Sequence, residues 1–157
     1  MKPLGPLTGW SWAAFLARWV VGLIFAMAGF WKVFELTPAG HAERYFVGGF
    51  AETWIPLWLL WTLGVTIPFV ELAAGALLCL GFRVREAAVA LAFVLIVVTY
   101  GHLLLEPLFD TTSHIFPRTV LLLVVLVAPR EEDRLSLDGL LARGSHPPRG
   151  RAATKMV

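Results

Sequence analysis

The chain has 157 residues, of which 58% are hydrophobic and 15% are charged, and its formal net charge at pH 7 is +2. Soluble domains carry roughly 25% charged residues, so this composition excludes an ordinary soluble protein and indicates one membrane-embedded domain. The basic residues form no face or stripe, which excludes nucleic acid as a partner. A single cysteine excludes an internal disulfide and a dithiol centre, so any redox role takes its electrons from a cofactor or a partner.

The first apolar span is predicted from about residue 12 to residue 34. Within it, Ala26-Met27-Ala28 resembles a signal-peptide cleavage site. The apolar run nevertheless continues past that site, and Arg18 interrupts the stretch before it. A retained membrane helix is therefore the favoured interpretation.

One face of this helix carries both of its cations. Its members recur at intervals of four and three residues: Arg18, Gly22, Phe25, Gly29 and Lys32. Glycines at this spacing allow a neighbouring helix to approach closely. The simpler interpretation is a packing face whose cations extend their charged ends toward the polar regions. The alternative is a functional role for Arg18 and Lys32.

Residues 35–53 are predicted to form an amphiphilic loop between the first two spans. Ala42 to Val47 could form a short helix at the membrane surface, and Gly48-Gly49 interrupts the segment. His41 is expected to be solvated.

The longest apolar run, residues 55–82, predicts a second membrane span and contains one carboxylate, Glu71. An ionised group near mid-membrane is costly and is usually partnered or functional. Gly75 lies one turn further along the same face, where a partner helix can come close.

Pro68 lies three residues before that carboxylate. A proline inside a helix has no amide hydrogen, so the carbonyl of Gly64 loses its partner within the helix and a kink is favoured. The hydroxyl of Thr62 or of Thr66 could help to satisfy the loosened backbone.

Two further spans are predicted, over about residues 86–105 and 114–128. The chain that follows is charged from residue 130 and briefly amphipathic over residues 136–141. Its last segment is predicted to be disordered.

Charge bias predicts the topology of these spans. Lysine and arginine are concentrated in the N-terminal lead, in the turn at Arg83 and Arg85, and in the tail, whereas glutamate and aspartate dominate the other two loops. Because cytoplasmic loops are enriched in cations, both termini are predicted to be cytoplasmic. The predicted fold is an all-α, four-helix transmembrane bundle over residues 1–129, followed by a cytoplasmic tail over residues 130–157.

Threading the helices up and down places two opposite charges in the inner half of the bundle. Arg18 would lie about 9 Å and Glu71 about 15 Å from the inner ends of their helices, at 1.5 Å per residue. We therefore hypothesise an Arg18–Glu71 ion pair. The pair could fix the helix register, or the carboxylate could take up protons or bind the head group of a ligand.

The outer half gathers polar residues from the ends of three spans: Lys32, Tyr100, His102, Glu106, His114 and Arg118. Such a rim could hydrogen-bond the carbonyl oxygens of a quinone or a lipid head group, or it could simply anchor the helices at the interface. His102, Glu106 and His114 are weak metal-ligand candidates, because Pro107 distorts the turn, and no metal site is predicted. The candidates for ligand binding or buried polar contacts are thus Arg18, Lys32, Glu71, Tyr100, His102 and Arg118.

Three motifs occur in order along the chain. The first span reads Arg18-x3-Gly22-x6-Gly29-x2-Lys32, and the second span with its turn reads Glu71-x3-Gly75-x2-Leu78-x2-Gly81-x3-Arg85. The tail carries Leu135-Ser136-Leu137-Asp138 before two leucines. Together, over roughly residues 12–141, these motifs resemble the DoxX family of small four-helix bacterial membrane proteins.

The resemblance implies a bundle in the cytoplasmic membrane of a bacterium, kinship with the small subunits of thiosulfate:quinone oxidoreductase, and a link to thiol or oxidative stress. The expectation is a subunit of a quinone-linked or stress-related oxidoreductase system that binds a hydrophobic ligand. No haem, flavin or metal motif is present, so an autonomous enzyme is not expected, and a quinone is the cofactor that remains open. The expected partners are the lipid bilayer and either a larger membrane redox complex or further copies of the chain.

Two other functions remain open. The chain could be a non-enzymatic accessory or assembly subunit of a larger membrane complex, in which the buried charges serve helix association only. A small transporter is disfavoured, because four spans without an internal repeat would require an oligomer.

Overall fold

The computed structural model describes residues 7–129 and 131–144, and its regular secondary structure there consists of helices, without strands. Disorder was predicted for residues 144–157, of which 145–157 lie outside that part. In chain order the helices are α1 (Gly9–Phe30), continued by a π-helical segment (Trp31–Glu35); α2 (Pro38–His41), continued by a second π-helical segment (Ala42–Val47); α3 (Leu57–Leu80); α4 (Val84–Leu105); α5 (Ile115–Val127); and α6 (Leu137–Gly144).

Three helices are long and apolar enough to cross a membrane, with 27 residues for Gly9–Glu35, 24 for Leu57–Leu80 and 22 for Val84–Leu105. The apolar α5 has 13 residues, which gives about 20 Å against a hydrocarbon core of about 30 Å. An all-α protein with several apolar, membrane-length helices is thereby confirmed for the described residues.

Local sequence explains where the helices begin and end. α1 begins at Gly9, earlier than predicted, because the hydroxyl of Thr8 accepts the Ser11 amide and the Ser11 hydroxyl accepts the Thr8 amide, each at 3.3 Å. α3 ends where Gly81 adopts a left-handed φ of 70°, a conformation that costs glycine little. α4 ends at Leu105, as predicted, just before the proline at residue 107.

The four apolar helices close around one core. α1 packs against α3 and α5, and α4 packs against the same two helices. Fully buried members of the core include Val21, Leu78 and Leu91. We call the end where α1 begins and α3 ends the tail end, since residues 131–144 lie there, and the opposite end the loop end.

The face predicted on α1 is confirmed as a packing face. Its members Arg18, Gly22, Phe25 and Gly29 are buried and Lys32 is half-buried. A Cβ added to Gly75 would lie 2.5 Å from the Ala26 amide nitrogen, and one added to Gly22 would lie 3.0 Å from the Gly75 carbonyl oxygen. One added to Gly29 would overlap the backbone of Leu72. The backbones of α1 and α3 are therefore in direct contact.

The segment between α1 and α3 also packs into the bundle. A helix is present over Ala42–Val47, as predicted. Ala42 is fully buried, however, and its Cβ lies 2.7 Å from the position that a Cβ on Gly64 would take. This segment is thus docked against α3 instead of lying only at the membrane surface.

Replacing Gly29 with alanine is expected to destabilise the protein. Alanine favours a helix over glycine by about 1 kcal/mol, but the added methyl overlaps the α3 backbone, and overpacking of this kind costs about 1–3 kcal/mol. We expect the free energy of unfolding, measured by SDS titration in mixed micelles, to fall by about 1 kcal/mol, the overpacking cost less the gain in helix propensity.

The matched control is Gly9→Ala, because an added Cβ meets nothing within 4 Å there. This variant is expected to keep the wild-type stability or exceed it. Equal stability of the Gly29 and Gly9 variants would contradict the close α1–α3 contact.

Candidate functional site

An ion pair joins the π-helical segment at the end of the first span to α3. Lys32 Nζ lies 2.6 Å from Glu71 Oε2, with the Glu71 side chain 6% exposed and the Lys32 side chain 22% exposed. Lys32 belongs to the π-helical segment that ends the first span, and π-helical turns are frequent at functional sites. The carboxylate therefore has a charged partner that is reachable from outside the bundle.

The hypothesised Arg18–Glu71 pair is wrong. The glycine contacts set Gly22 opposite Gly75 and Gly29 opposite Leu72, so Glu71 is level with the last turns of α1. Arg18 is level with Leu78 instead, about 10 Å further along α3 at 1.5 Å per residue. The prediction measured the depth of each charge from the end of its own helix and assumed that these ends are level. They are not level, because α1 extends beyond the end of α3.

Arg18 holds the tail end of the bundle together. The residue is 1% exposed, and its guanidinium donates to the carbonyl oxygens of Leu78 at 2.8 Å, Cys79 at 3.2 Å and Leu135 at 2.9 Å. Its Nε lies 3.7 Å from Asp133 Oδ1. One buried side chain thus joins α1, the end of α3 and the chain after α5.

Residues 131–141, which we call the tail segment, dock through further polar contacts. The Asp138 carboxylate accepts the backbone amides of Arg83 at 3.0 Å and Val84 at 2.9 Å, and so caps α4 from another part of the chain. Glu132 accepts the hydroxyls of Thr8 at 2.6 Å and Ser11 at 3.0 Å. The docking of the tail was not predicted, although its Leu-Ser-Leu-Asp motif was noted.

These contacts change the acidity of two carboxyls in the tail segment. The hydroxyls of Thr8 and Ser11 lower the pKa of Glu132. Burial raises the pKa of Asp133, against the opposing effect of the Arg18 charge.

His41 is buried, so the expectation that it would be solvated is wrong. Its side chain is near α3, and Nδ1 lies 2.7 Å from the Gly64 carbonyl oxygen. Because a carbonyl only accepts, Nδ1 carries the hydrogen. Burial is the main cause that lowers the pKa of His41, with the charge of Lys32 acting in the same direction.

The Gly64 carbonyl is the group that Pro68 leaves without its helical partner. Neither of the threonines considered for this role takes it, since Thr62 donates to Trp58 and Thr66 donates to Thr62. A loosened carbonyl needs a hydrogen-bond donor from outside the helix. The position of Pro68 in the sequence therefore indicated that a donor such as His41 would be buried beside α3.

The remaining candidates of the outer half do not form one cluster. His102 is exposed and its Nδ1 lies 2.8 Å from the Val98 carbonyl of its own helix. Arg118 donates to the His114 carbonyl at 2.9 Å. Among the described residues, no three His, Cys, Asp or Glu side chains are grouped to hold a metal ion, and the weak set of His102, Glu106 and His114 is not brought together.

Tyr100 instead lines an apolar groove of about 500 Å³ between α4 and α5. The groove is lined mainly by leucine, isoleucine and alanine, together with Thr99 and Thr119. Both threonine hydroxyls donate to carbonyls of their own helices. The Tyr100 hydroxyl has no hydrogen-bond partner among the described residues, and the residue is 50% exposed. The groove can therefore hold an apolar molecule and offer it one polar contact.

The DoxX family model matches residues 13–103. This range is more than half of the chain and includes the α1–α3 contact and the Lys32–Glu71 pair. Neither the comparison with curated proteins nor the comparison with solved structures found a match. The tail segment lies outside the matched range.

Proposed function

The chain belongs to the DoxX family, and on this basis we propose that it is the membrane subunit of a quinone-linked or thiol- and oxidative-stress-related oxidoreductase system. In this proposal the α4–α5 groove binds the hydrophobic ligand and a partner protein supplies the redox centre. The chain itself is not an autonomous enzyme, because Cys79 is its one cysteine and the sequence has no haem or flavin motif.

The groove is the observation that carries this proposal. Its volume of about 500 Å³ lies within the range of about 300–1,000 Å³ that is usual for small-molecule sites. Its wall is almost wholly apolar, and the unpartnered Tyr100 hydroxyl can donate to a quinone carbonyl. An apolar ring or chain fits the wall, and the hydroxyl orients it.

The Lys32–Glu71 pair takes a second role in the proposal. Ligand reduction requires protons as well as electrons, and Glu71 is a buried carboxylate whose partner is partly exposed. In this proposal Glu71 supplies the buried carboxylate, and Lys32 balances its charge. Arg18 is a structural residue in this scheme, since its contacts are made to backbone carbonyls and Asp133.

Mass spectrometry of the quinones and lipids retained after purification in mild detergent tests the groove. Ala92→Phe fills the groove and is expected to abolish quinone retention, whereas Ala76→Phe adds the same ring to an exposed alanine of α3 and should not.

Tyr100→Phe removes one hydrogen bond, worth about 1 kcal/mol, and should weaken retention about fivefold. Tyr45→Phe is its control, because Tyr45 is exposed outside the groove.

Quinone retained equally by the Ala92 and Ala76 variants would overturn the groove as the binding site.

Only bulk phospholipid in the wild-type protein would favour the second candidate function, an accessory or assembly subunit without a reaction. That candidate is supported by one observation: Arg18, Lys32 and Glu71 all have partners within the chain. It predicts that Glu71→Gln keeps full function in cells, and the redox proposal predicts a loss.

The proposed setting is the cytoplasmic membrane of a bacterium, with four spans and both termini in the cytoplasm. A membrane domain over residues 1–129 would carry a tail over residues 130–157. Supporting this orientation, Arg83 and Arg85 lie at the same end of the bundle as the tail segment. Reporter fusions at Gly48 and Pro107 should give signals from outside the cytoplasm, and cytoplasmic signals there would contradict the topology.

A further inference from the structure

A second cavity lies at the tail end of the bundle, apart from the groove. It is a cleft of about 330 Å³ whose walls come from α1, α4, α5 and the tail segment. Its charged lining consists of three arginines and three acids: Arg18, Arg83, Arg85, Glu86, Asp133 and Asp138. The formal charge of the lining is therefore zero.

Half of these charges already have partners. Asp133 faces Arg18 at 3.7 Å, and the Asp138 carboxylate accepts two amides at the start of α4. The side chains of Arg83, Arg85 and Glu86 have no hydrogen-bond or ion-pair partner among the described residues, although all three line the cleft. The cleft thus presents two free guanidiniums and one free carboxylate to an occupant.

The backbone at Arg83 supports a role for its side chain. Arg83 adopts a left-handed conformation with φ 49° and ψ 44°, which costs a non-glycine residue roughly 1–2 kcal/mol. Glycine would take this conformation at lower cost. Arg83 lines the cleft in this conformation, and strained positions of this kind cluster at functional sites.

The rest of the lining fits an amphiphile. Ala14, Val84, Val125 and Ala128 form an apolar wall that belongs to the membrane helices and their ends. A guanidinium binds a phosphate oxygen pair through parallel hydrogen bonds, and basic pockets between membrane helices are known sites for lipid head groups. The apolar wall can accommodate the start of an acyl chain.

We infer that this cleft binds the head group of a zwitterionic phospholipid that carries a primary ammonium, as in phosphatidylethanolamine. Arg83 and Arg85 bind the phosphate, and Glu86 accepts a hydrogen bond from the ammonium. An anionic glycerol head group would make the neutral lining net negative and would offer Glu86 no cationic partner, and a choline head group has no N–H to donate. The docked tail segment supplies one wall, so the site exists only while the tail is in place.

The test measures lipid bound to the full-length protein by native mass spectrometry. The purified protein is re-lipidated with an equal mixture of phosphatidylethanolamine, phosphatidylcholine and phosphatidylglycerol that share the same acyl chains. We expect phosphatidylethanolamine to be retained preferentially by the wild-type protein. Arg83→Gln/Arg85→Gln should reduce this retention at least tenfold, and Arg83→Lys/Arg85→Lys should restore part of it, because charge remains but the guanidinium fork is lost.

Two further variants separate the contributions. Arg44→Gln removes an exposed arginine at the loop end and should change nothing. Glu86→Gln should remove the preference for ethanolamine over choline but keep phosphate binding. Displacement of the lipid by soluble glycerophosphoethanolamine would show that the site takes free phosphate esters, and it would overturn the assignment to a lipid.

Retention of phosphatidylethanolamine at the wild-type level in Arg83→Gln/Arg85→Gln would also overturn the inference, as would preferential retention of phosphatidylglycerol. The variants can be judged independently of the groove, since none of their residues lines it.

Discussion

Lys32→Met is expected to lower the free energy of unfolding by about 3 kcal/mol, because it leaves Glu71 buried without its charged partner. The carboxylate lies 2.6 Å from the lysine nitrogen in the native protein, and its side chain is 6% exposed. Glu71 has no other charged partner among the described residues. SDS-induced unfolding in mixed micelles measures the change.

The double variant Lys32→Met/Glu71→Leu separates a lost interaction from a stranded charge. Replacing both members of a buried pair with apolar residues is often neutral or stabilising, so this variant should recover most of the wild-type stability. Arg44→Met is the matched control, since it removes an exposed cation near the same end and should have no effect. A double variant as unstable as Lys32→Met would contradict the direct pairing.

Charge reversal distinguishes the observed pair from the one hypothesised from the sequence. Lys32→Glu/Glu71→Lys keeps opposite charges at the two observed positions and should recover part of the stability lost in either single variant. Arg18→Glu/Glu71→Arg should recover nothing, because Arg18 contacts the carbonyls of Leu78 and Leu135 instead.

The sequence was sufficient to predict the elements but not the register between them. Hydrophobic run lengths predicted the bounds of the four apolar helices to within a few residues, and the spacing from Arg18 to Lys32 predicted the packing face of α1 correctly. The partner of Glu71 depends on the axial offset between α1 and α3. This offset is set by the contacts between the glycines of one helix and the backbone atoms of the other. The spacing of residues within one helix does not predict it.

Contacts between distant parts of the chain were also missed for a physical reason. His41 lies in α2, in a segment whose amphiphilic composition predicted a loop, and its side chain is buried against one carbonyl of α3 that Pro68 leaves unsatisfied. Asp138 caps α4 although it is 54 residues from Val84 in the chain. Local secondary-structure propensity predicts neither contact, because in each one a polar group of one helix is satisfied by a side chain from another part of the chain.

These observations link the fold to both proposed sites. The α1–α3 contact positions Lys32 against Glu71, and the short α5 lies beside α4 so that a groove remains between them. At the other end, Arg18 and Asp138 hold the tail segment against the start of α4 and so complete the second cleft. The tail therefore lines the proposed lipid site and is also a structural element.

Arg18→Met is expected to release the tail segment and to lower the free energy of unfolding by about 3 kcal/mol. The substitution removes hydrogen bonds to the carbonyls of Leu78, Cys79 and Leu135 and leaves Asp133 without its cation. Since local opening exposes backbone to proteases, trypsin should cleave after Arg134 at least ten times faster than in the wild-type protein. Timed digestion in mild detergent, followed by mass spectrometry of the fragments, measures this rate.

Three comparisons identify the cause of a faster cleavage. Arg18→Lys keeps the charge beside Asp133, but one ammonium cannot bridge Leu78 and Leu135, so an intermediate rate is expected. Asp138→Asn weakens the cap on α4 without stranding a buried charge and should accelerate cleavage less. Arg118→Met removes an arginine at the loop end, whose guanidinium donates to the His114 carbonyl and lies over the Phe25 ring, and it should leave the rate unchanged. Cleavage of Arg18→Met at the wild-type rate would show that the tail is held without this residue, and the second cleft would then not depend on it.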